Sequence, residues 1–161
     1  MLEKISRYLA ILCEWCIGIL MIIMTIVVMT GVFYRYVLGS GLPWTEELAR
    51  YVMIWMSFLA ASVLIREDGH IGITVLRDHL SGRWKALLHI LSDMAIMAFL
   101  LLWFKISLES YEIIRYDISP GVNISLGWVF ISQPVCAFLM LIQTIIVLIR
   151  HARELAEARS K

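Results

Sequence analysis

Two acidic side chains, Glu14 and Asp93, lie inside otherwise apolar segments of the chain. Because a charge is costly to bury in lipid, an acid within a membrane span is a candidate for substrate binding or proton transfer. At about 1.5 Å per helical residue, Glu14 lies about 10 Å beyond Arg7. Asp93 lies about 12 Å beyond Lys85, in the same leaflet, whereas a transport site is expected nearer the midplane. We therefore expect both acids to be paired or hydrated, and a shared proton or a hydrogen bond between their helices stays open.

Other residues that could carry chemistry lack the partners that the chemistry needs. Cys13 and Cys16 form a Cys-x-x-Cys pattern, but no second pair and no nearby histidine completes a tetrahedral metal site. The chain has no Gly-rich phosphate loop and no Gly-x-Ser-x-Gly motif. The histidines fall in predicted inner loops or at span ends, where they cannot bind a haem in mid-membrane: His70, His79, His89 and His151. We predict no enzyme activity, no metal and no cofactor.

The composition indicates an integral membrane protein. Of the 161 residues, 61% are hydrophobic and 17% are charged, which leaves too little polar surface for a soluble domain. The net charge of +1 gives no reason to expect a nucleic acid as partner. A bilayer core about 30 Å thick needs about 20 helical residues, and four apolar segments are long enough. We predict one all-α membrane domain over residues 1–161, with spans at about 9–37, 44–65, 86–110 and 126–150.

The positions of lysine and arginine predict how the spans are oriented. If both termini are cytoplasmic, ten of the 14 lysines and arginines lie on the inner side. The four on the outer side are then Arg35, Arg50, Lys105 and Arg115. Since short loops rich in these residues stay in the cytoplasm, we predict an N-in, C-in topology. Apolar residues at helical spacing between positions 73 and 84 predict a short amphipathic interfacial helix between spans two and three, with an ordinary polar loop as the alternative.

A Gly-Ser-Gly-Leu-Pro turn and a Trp-Thr-Glu-Glu run, residues 39–47, separate the first two spans. Pro43 suits the first turn of a helix, and the acids after it suit the positive N-terminal end of that helix. Trp44 suits the membrane interface. Glu46 is placed for an i,i+4 ion pair with Arg50. The second span is therefore predicted to begin at an ordered, polar outer end.

These residues together resemble the small four-helix membrane subunit of tripartite ATP-independent periplasmic (TRAP) transporters. The resemblance covers nearly the whole chain and includes the four-span length. It rests on Arg35-Tyr36, the run from Pro43 to Tyr51, Trp55, Gly69-His70-Ile71, Trp128 and Pro134. Thr45 stands where a serine is often expected in that family.

The resemblance implies a role that composition alone does not show. In that family a periplasmic binding protein captures an organic acid, usually a carboxylate, and delivers it to a two-part complex in the bacterial inner membrane. A large subunit holds the substrate and sodium sites and moves as an elevator. The small subunit packs against the static part of the large one and shares the periplasmic docking face. Lipids surround both subunits, and the acid that is transported stays open.

Two groups of residues acquire expected roles from the resemblance. Residues expected to order the scaffold and its contact with the large subunit are Arg35, Trp44, Glu46, Glu47, Arg50, Trp55, Arg66 and His70. Residues expected on or near the surface that the binding protein meets are Ser40, Gly41, Glu112, Arg115 and Asp117.

Two other classes of protein compete with this interpretation. Small multidrug exporters also have four spans and use an acid in the first helix for proton coupling, as Glu14 could do here. Those chains are shorter, and they would leave the Trp-Thr-Glu-Glu stretch unexplained. A membrane anchor or redox subunit of a larger enzyme would need mid-span histidines, which this sequence lacks.

Overall fold

The chain folds into antiparallel helices joined by short connections. The computed structural model describes residues 2–66 and 83–159, with side chains for residues 3–66 and 88–153. The ends of the long helices extend past the predicted spans because residues such as Glu, Lys, Arg and Ala continue a helix beyond the apolar run. In chain order the described helices are α1 (Leu2–Tyr36), α2 (Pro43–Arg66), α3 (Arg83–Ile114), α4 (Gly127–Phe130) and α5 (Ser132–Arg159).

Four helical segments of the described chain are long and apolar enough to cross a membrane. They are Glu3–Tyr36, Pro43–Arg66, Leu88–Ile114 and Gly127–Arg153. The predicted all-α fold with four spans is therefore confirmed. The predicted amphipathic helix between spans two and three, and His70 with it, lie outside the described residues.

The spans pack in the order α1, α2, α5, α3 rather than in chain order. α2 and α5 are the inner pair, α1 packs mainly on α2, and α3 packs mainly on α5. In the apolar stretch of the last span, 50% of the residues are buried inside the structure, whereas only 6% are buried in the apolar stretch of α1. Small and polar side chains allow this central position, because they let neighbouring helices approach closely: Cys136, Ala137, Gln143 and Thr144.

The last span begins with a break in the helix just before its proline. Ile131 separates α4 from α5, so that Pro134 lies in the first turn of α5. A proline costs little there, because the first N–H groups of a helix have no partner within the helix. The Ser132 hydroxyl donates to the carbonyl of Val129 at 2.6 Å and spans the break. The proline thus sets where the long helix starts.

The antiparallel helices give the molecule two ends, which we name by what they contain. The hairpin end comprises residues 35–47, where α1 turns into α2, and residues 112–128, where α3 connects to α4. The terminal end comprises the start of α1 and α3 and the end of α2 and α5. The charged side chains behave differently at these two ends.

Candidate functional site

The turn between α1 and α2 presents two of the predicted docking residues to solvent. The Ser40 N–H donates to the carbonyl of Tyr34 at 3.1 Å, which closes the chain onto the last turn of α1. Gly39 has a φ of +66°, a backbone conformation that a side chain would strain. Ser40 and Gly41 are exposed, and no atom of a neighbouring residue lies within 4 Å of where a Cβ on Gly41 would be. The tip of the turn is therefore ordered but open to a partner.

Thr45 holds the first turn of α2 against α1. Its side chain is buried and donates to the carbonyl of Leu42 at 2.7 Å. A Cβ added to Gly31 would lie 2.6 Å from the Thr45 hydroxyl oxygen, so only glycine allows the two helices to approach this closely. The Gly31–Thr45 contact fixes the position from which the acids of α2 project.

Glu46 forms an ion pair with Arg35 at the end of α1. The prediction that Glu46 pairs with Arg50 is therefore wrong: the close approach of the two helices brings the arginine of α1 nearer than the i,i+4 residue of α2. Arg50 is exposed on α2. Both partners of the Arg35–Glu46 pair are more than half exposed, so the pair aligns the helices while adding only about 0.2–1 kcal/mol of stability.

Glu47 joins α2 to the loop between α3 and α4. Its carboxylate accepts hydrogen bonds from the backbone N–H of Gly121 at 2.7 Å and of Val122 at 2.9 Å. The Tyr51 hydroxyl, one turn further along α2, donates to the other carboxylate oxygen at 2.6 Å. A side chain at position 121 would collide with the carboxylate, so the glycine is required by the close approach. Hydrogen bonds to an ionised acceptor are about twice as strong as neutral ones. The Glu47 bonds therefore hold the start of α2 firmly to the loop between α3 and α4.

The loop that Glu47 holds has its own internal order. An antiparallel bridge pairs Ile118 with Ser125, and the Leu126 N–H donates to the carbonyl of Asp117 at 2.8 Å. Asn123 takes a positive φ of 61°, a conformation that asparagine adopts more readily than most residues. The Ser125 hydroxyl donates to the carbonyl of Arg115 at 2.6 Å. The long polar loop is thus a fixed surface.

The predicted docking charges lie on or beside this loop. Glu112 and Asp117 are exposed, and Glu112 pairs with Arg115 at 3.1 Å. Arg115 is half-buried, and its guanidinium carbon lies 4.7 Å from the ring centre of Tyr116. The loop therefore presents two carboxylates to solvent, with one cation between them in the sequence.

The tryptophans of the hairpin end differ in what they contact. The Trp55 indole N–H donates to the carbonyl of Trp128 at 3.1 Å and connects α2 to α4. Trp44 lies at the start of α2 and is partly exposed, as a membrane-interface residue would be. Arg66 is the last residue of α2 and lies at the opposite, terminal end.

The two acids within the spans have different environments. Asp93 is 7% exposed, and its carboxylate lies 2.7 Å from Nδ1 of His151 on α5. Glu14 lies on the exposed surface of α1. A hydrogen bond between Glu14 and Asp93 is therefore excluded, because α5 carries the partner of Asp93 and α1 packs mainly on α2. His151 itself is 5% exposed.

Several residues that hold the structure together were not predicted. Tyr51 supports Glu47, and Ser6 and Gln143 form a buried pair in which the Ser6 hydroxyl donates to the Gln143 side-chain oxygen at 2.5 Å. The i,i+4 spacing of Glu47 and Tyr51 could have indicated their bond. Polar residues within apolar runs are a general signal for bonds between helices, and this signal marks Gln143, whereas Ser6 lies among charged residues before the first apolar run.

Among the described residues no three His, Cys, Asp or Glu side chains lie together in a way that could hold a metal ion. Cys13 and Cys136 belong to one apolar cluster in the core with residues of α2 and α3, where they pack as small hydrophobic side chains. The described site therefore offers surfaces and ties between helices. These features define a membrane-spanning helical protein with an ordered polar surface at its hairpin end.

The comparisons with known proteins identify the family. Residues 24–154 match the family described as the DctQ component of tripartite ATP-independent periplasmic transporters. A protein of Haemophilus influenzae named as a TRAP transporter small permease protein is 30% identical over 125 residues, which are 78% of this chain and 77% of that protein. The chain therefore belongs to the DctQ family, whose members are components of TRAP transporters and not enzymes.

Two further relatives are much longer than this chain. The sialic acid TRAP transporter permease protein SiaT of Haemophilus influenzae is 25% identical over 139 residues, which are 86% of this chain and 23% of that protein. The isethionate TRAP transporter permease protein DctMQ of Oleidesulfovibrio alaskensis is 30% identical over 134 residues, covering 78% of this chain and 21% of that protein. The chain thus corresponds to a small part of each of these permease proteins.

Proposed function

We propose that this small permease subunit serves a sodium-coupled transporter that takes up an organic acid across the bacterial inner membrane. The observation that carries the proposal is the family match combined with the lengths of the relatives. The chain corresponds to 23% and 21% of the two long permeases, so most of each transport protein lies outside the matching region. We assign the substrate and sodium sites to a separate large membrane subunit, which corresponds to the part of the long permeases that this chain does not match.

The polar groups inside the spans support a scaffolding role for this chain. Asp93 is paired with His151, and Ser6 is bonded to Gln143. Thr25, Thr30 and Thr144 bond to carbonyls of their own helices. A substrate site needs polar groups that converge on a cavity near the midplane. The described spans use these groups for their own packing, which suits a stationary partner of a moving subunit.

The hairpin end supports docking of a periplasmic substrate-binding protein. Its two connections are tied together by Glu47, and its exposed tip residues and loop carboxylates form one polar face. A fixed surface loses little conformational entropy when a partner binds. Ser40, Gly41, Glu112, Arg115 and Asp117 are the proposed contact residues.

The orientation follows from the distribution of positive charge. Lys4, Arg7, Arg66 and Arg150 gather at the terminal end, where α3 also begins with Arg83. Since positively charged short segments remain in the cytoplasm, we assign both termini to the cytoplasm and the hairpin end to the periplasm. The scaffold residues Arg35, Trp44, Glu46, Glu47, Arg50 and Trp55 then order the periplasmic half, while Arg66 belongs to the cytoplasmic end; a role for His70 stays a prediction from the sequence.

The test is co-purification followed by transport. The tagged chain is expressed from its own operon, solubilised gently, and the proteins that co-purify are identified. The proposal expects a stoichiometric partner with many spans, and sodium-dependent acid uptake that disappears when this chain is deleted. A chain that purifies alone as a homodimer and binds a cationic drug through Glu14 would overturn the proposal in favour of a small exporter.

A further inference from the structure

A cavity of about 410 Å³ lies at the terminal end, where the start of α1, the end of α2 and the last turns of α5 meet. Three helices that are distant in the sequence therefore contribute to one site. Among the described residues that border this cavity, one is the acid Glu3 and four are cations: Lys4, Arg7, Arg66 and Arg150. The described lining thus carries an excess of positive charge.

The cations at this cavity differ from those at the hairpin end. Arg35 and Arg115 both form ion pairs with carboxylates. Within the part of the chain whose side chains are described, Lys4, Arg7 and Arg66 form no ion pair. Since Lys4, Arg7 and Arg66 outnumber Glu3 in the described lining, the cations repel one another, and an anion between them would be stabilised. The cavity is a place where such an anion fits.

The floor and wall of the cavity are firmly held. Ser6 and Gln143 bond to each other twice, through the Ser6 hydroxyl at 2.5 Å and through the Gln143 amide to the Ser6 carbonyl at 3.2 Å. Both side chains are almost completely buried, which fixes α1 on α5 beneath the cations. Ile146 and Val147 supply an apolar wall on α5. A ligand with a charged head and an apolar continuation matches this lining.

We propose that this cavity binds the phosphate group of an anionic phospholipid at the membrane surface. The cavity lies where the apolar spans end, which is the level of lipid headgroups. Arginine binds phosphate through two parallel N–H bonds, and basic pockets between membrane helices recognise anionic headgroups. The apolar wall of Ile146 and Val147 offers a contact for the start of the acyl chains. The cavity is formed by this chain alone, so the lipid proposal can be tested independently of the proposed transport role.

The test uses the full chain in its purified complex and native mass spectrometry. Phosphatidylglycerol and phosphatidylcholine are titrated separately, and the lipid adducts are counted. The variant pair Arg7→Gln with Arg66→Gln removes two unpaired cations, and Arg153→Gln is the matched control because Arg153 is exposed at the same end but does not border the cavity. The proposal expects a preference for phosphatidylglycerol that falls by about tenfold or more in the paired variant and is unchanged in the control.

Two further measurements decide the source of the phosphate and guard against misfolding. Inorganic phosphate is added to the wild-type complex: displacement of phosphatidylglycerol at comparable concentration would overturn the lipid assignment in favour of a free anion. The charge-preserving variant Arg66→Lys should keep most of the phosphatidylglycerol preference. Equal binding of both lipids by the wild type would overturn the proposal. Loss of the large subunit from the paired variant with unchanged lipid binding would also overturn it, because the cations would then face a protein.

Discussion

The two ends of the molecule differ in whether their arginine and lysine side chains form ion pairs. At the hairpin end, Arg35 pairs with Glu46, Arg115 pairs with Glu112, and Glu47 accepts three hydrogen bonds. At the terminal end, Lys4, Arg7 and Arg66 border a cavity without an ion pair among the described side chains. The two arginines of the hairpin end are therefore paired within the chain, whereas Lys4, Arg7 and Arg66 at the terminal end are not paired with any described side chain.

This difference indicates what each end is built to meet. A surface whose charges are paired and whose loops are tied is rigid, and it suits repeated binding and release of a protein partner. A group of unpaired cations suits a ligand that stays in place, such as a lipid headgroup. The two ends thus correspond to the two proposals, docking at the hairpin end and lipid binding at the terminal end. The following substitutions are expected to disturb one end while sparing the other.

The largest effect is expected at the buried pair of the terminal end. Replacing Asp93 by alanine removes the carboxylate from the His151 ring in a site that water barely reaches. Removing one partner of a buried hydrogen bond costs about 1–3 kcal/mol. The thermal midpoint of the complex in detergent should fall sharply, while Asp117→Ala, at an exposed position, should leave it unchanged. Equal midpoints for the two variants would contradict a structural role for the pair.

A smaller and more local effect is expected from Glu47→Gln. The amide keeps the shape of the side chain but loses the charge and one acceptor oxygen, so the N–H groups of Gly121 and Val122 are held less firmly. Hydrogen exchange of the peptide covering residues 117–126 should accelerate by about tenfold. Glu112→Gln is the matched control, because Glu112 has no bond to that loop backbone. Unchanged exchange in the Glu47 variant would show that the loop is ordered without it.

Gly121→Ala should reproduce the Glu47 effect in part. The added methyl group collides with the Glu47 carboxylate, which must move away. The hydrogen bonds from the N–H groups of residues 121 and 122 to this carboxylate are then weakened. Gly41→Ala meets no atom within 4 Å and should leave the loop unaltered. The comparison is made by hydrogen exchange on both variants. If Gly41→Ala disturbed the loop as much as Gly121→Ala did, close approach to Glu47 would not be the reason for the glycine.

The smallest effect is expected from Arg35→Gln. The Arg35–Glu46 pair is mostly exposed, so its loss should lower stability by about 0.2–1 kcal/mol. The difference between wild type and variant should shrink further at high salt, because exposed charges are screened. Thermal midpoints at low and high salt measure this. A loss that is large and independent of salt would mean that the pair is shielded, for example by a partner subunit.

The sequence predicts the fold well because hydropathy and helix length are local properties. The four spans, the helix start at Pro43 and the ordered hairpin end all follow from neighbouring residues. The partners of the charged groups do not. Asp93 and His151 are 58 positions apart in the sequence. Glu47 bonds to Gly121 and Val122, which are 74 and 75 positions away from it. These contacts depend on the packing order of the helices, which no local pattern specifies.

The pairing of Glu46 shows the same limit at short range. Helical spacing predicts Arg50 as its partner, because residues four apart share a helix face. The structure selects Arg35 instead, since Gly31 and Thr45 bring α1 against α2. Local spacing shows which residues of the same helix could pair with an acid, but the contact between helices determines which pair forms.

The most direct test of docking at the hairpin end is acid uptake per amount of complex. Glu112→Lys and Asp117→Lys reverse the two exposed loop carboxylates, and Arg153→Glu reverses a charge at the terminal end as the control. Because charges at the edge of an interface mainly set the rate of encounter, we expect uptake to fall several-fold with the amount of complex unchanged, and no change in the control. Uptake equal to wild type, or loss of the complex itself, would contradict a docking role for this surface.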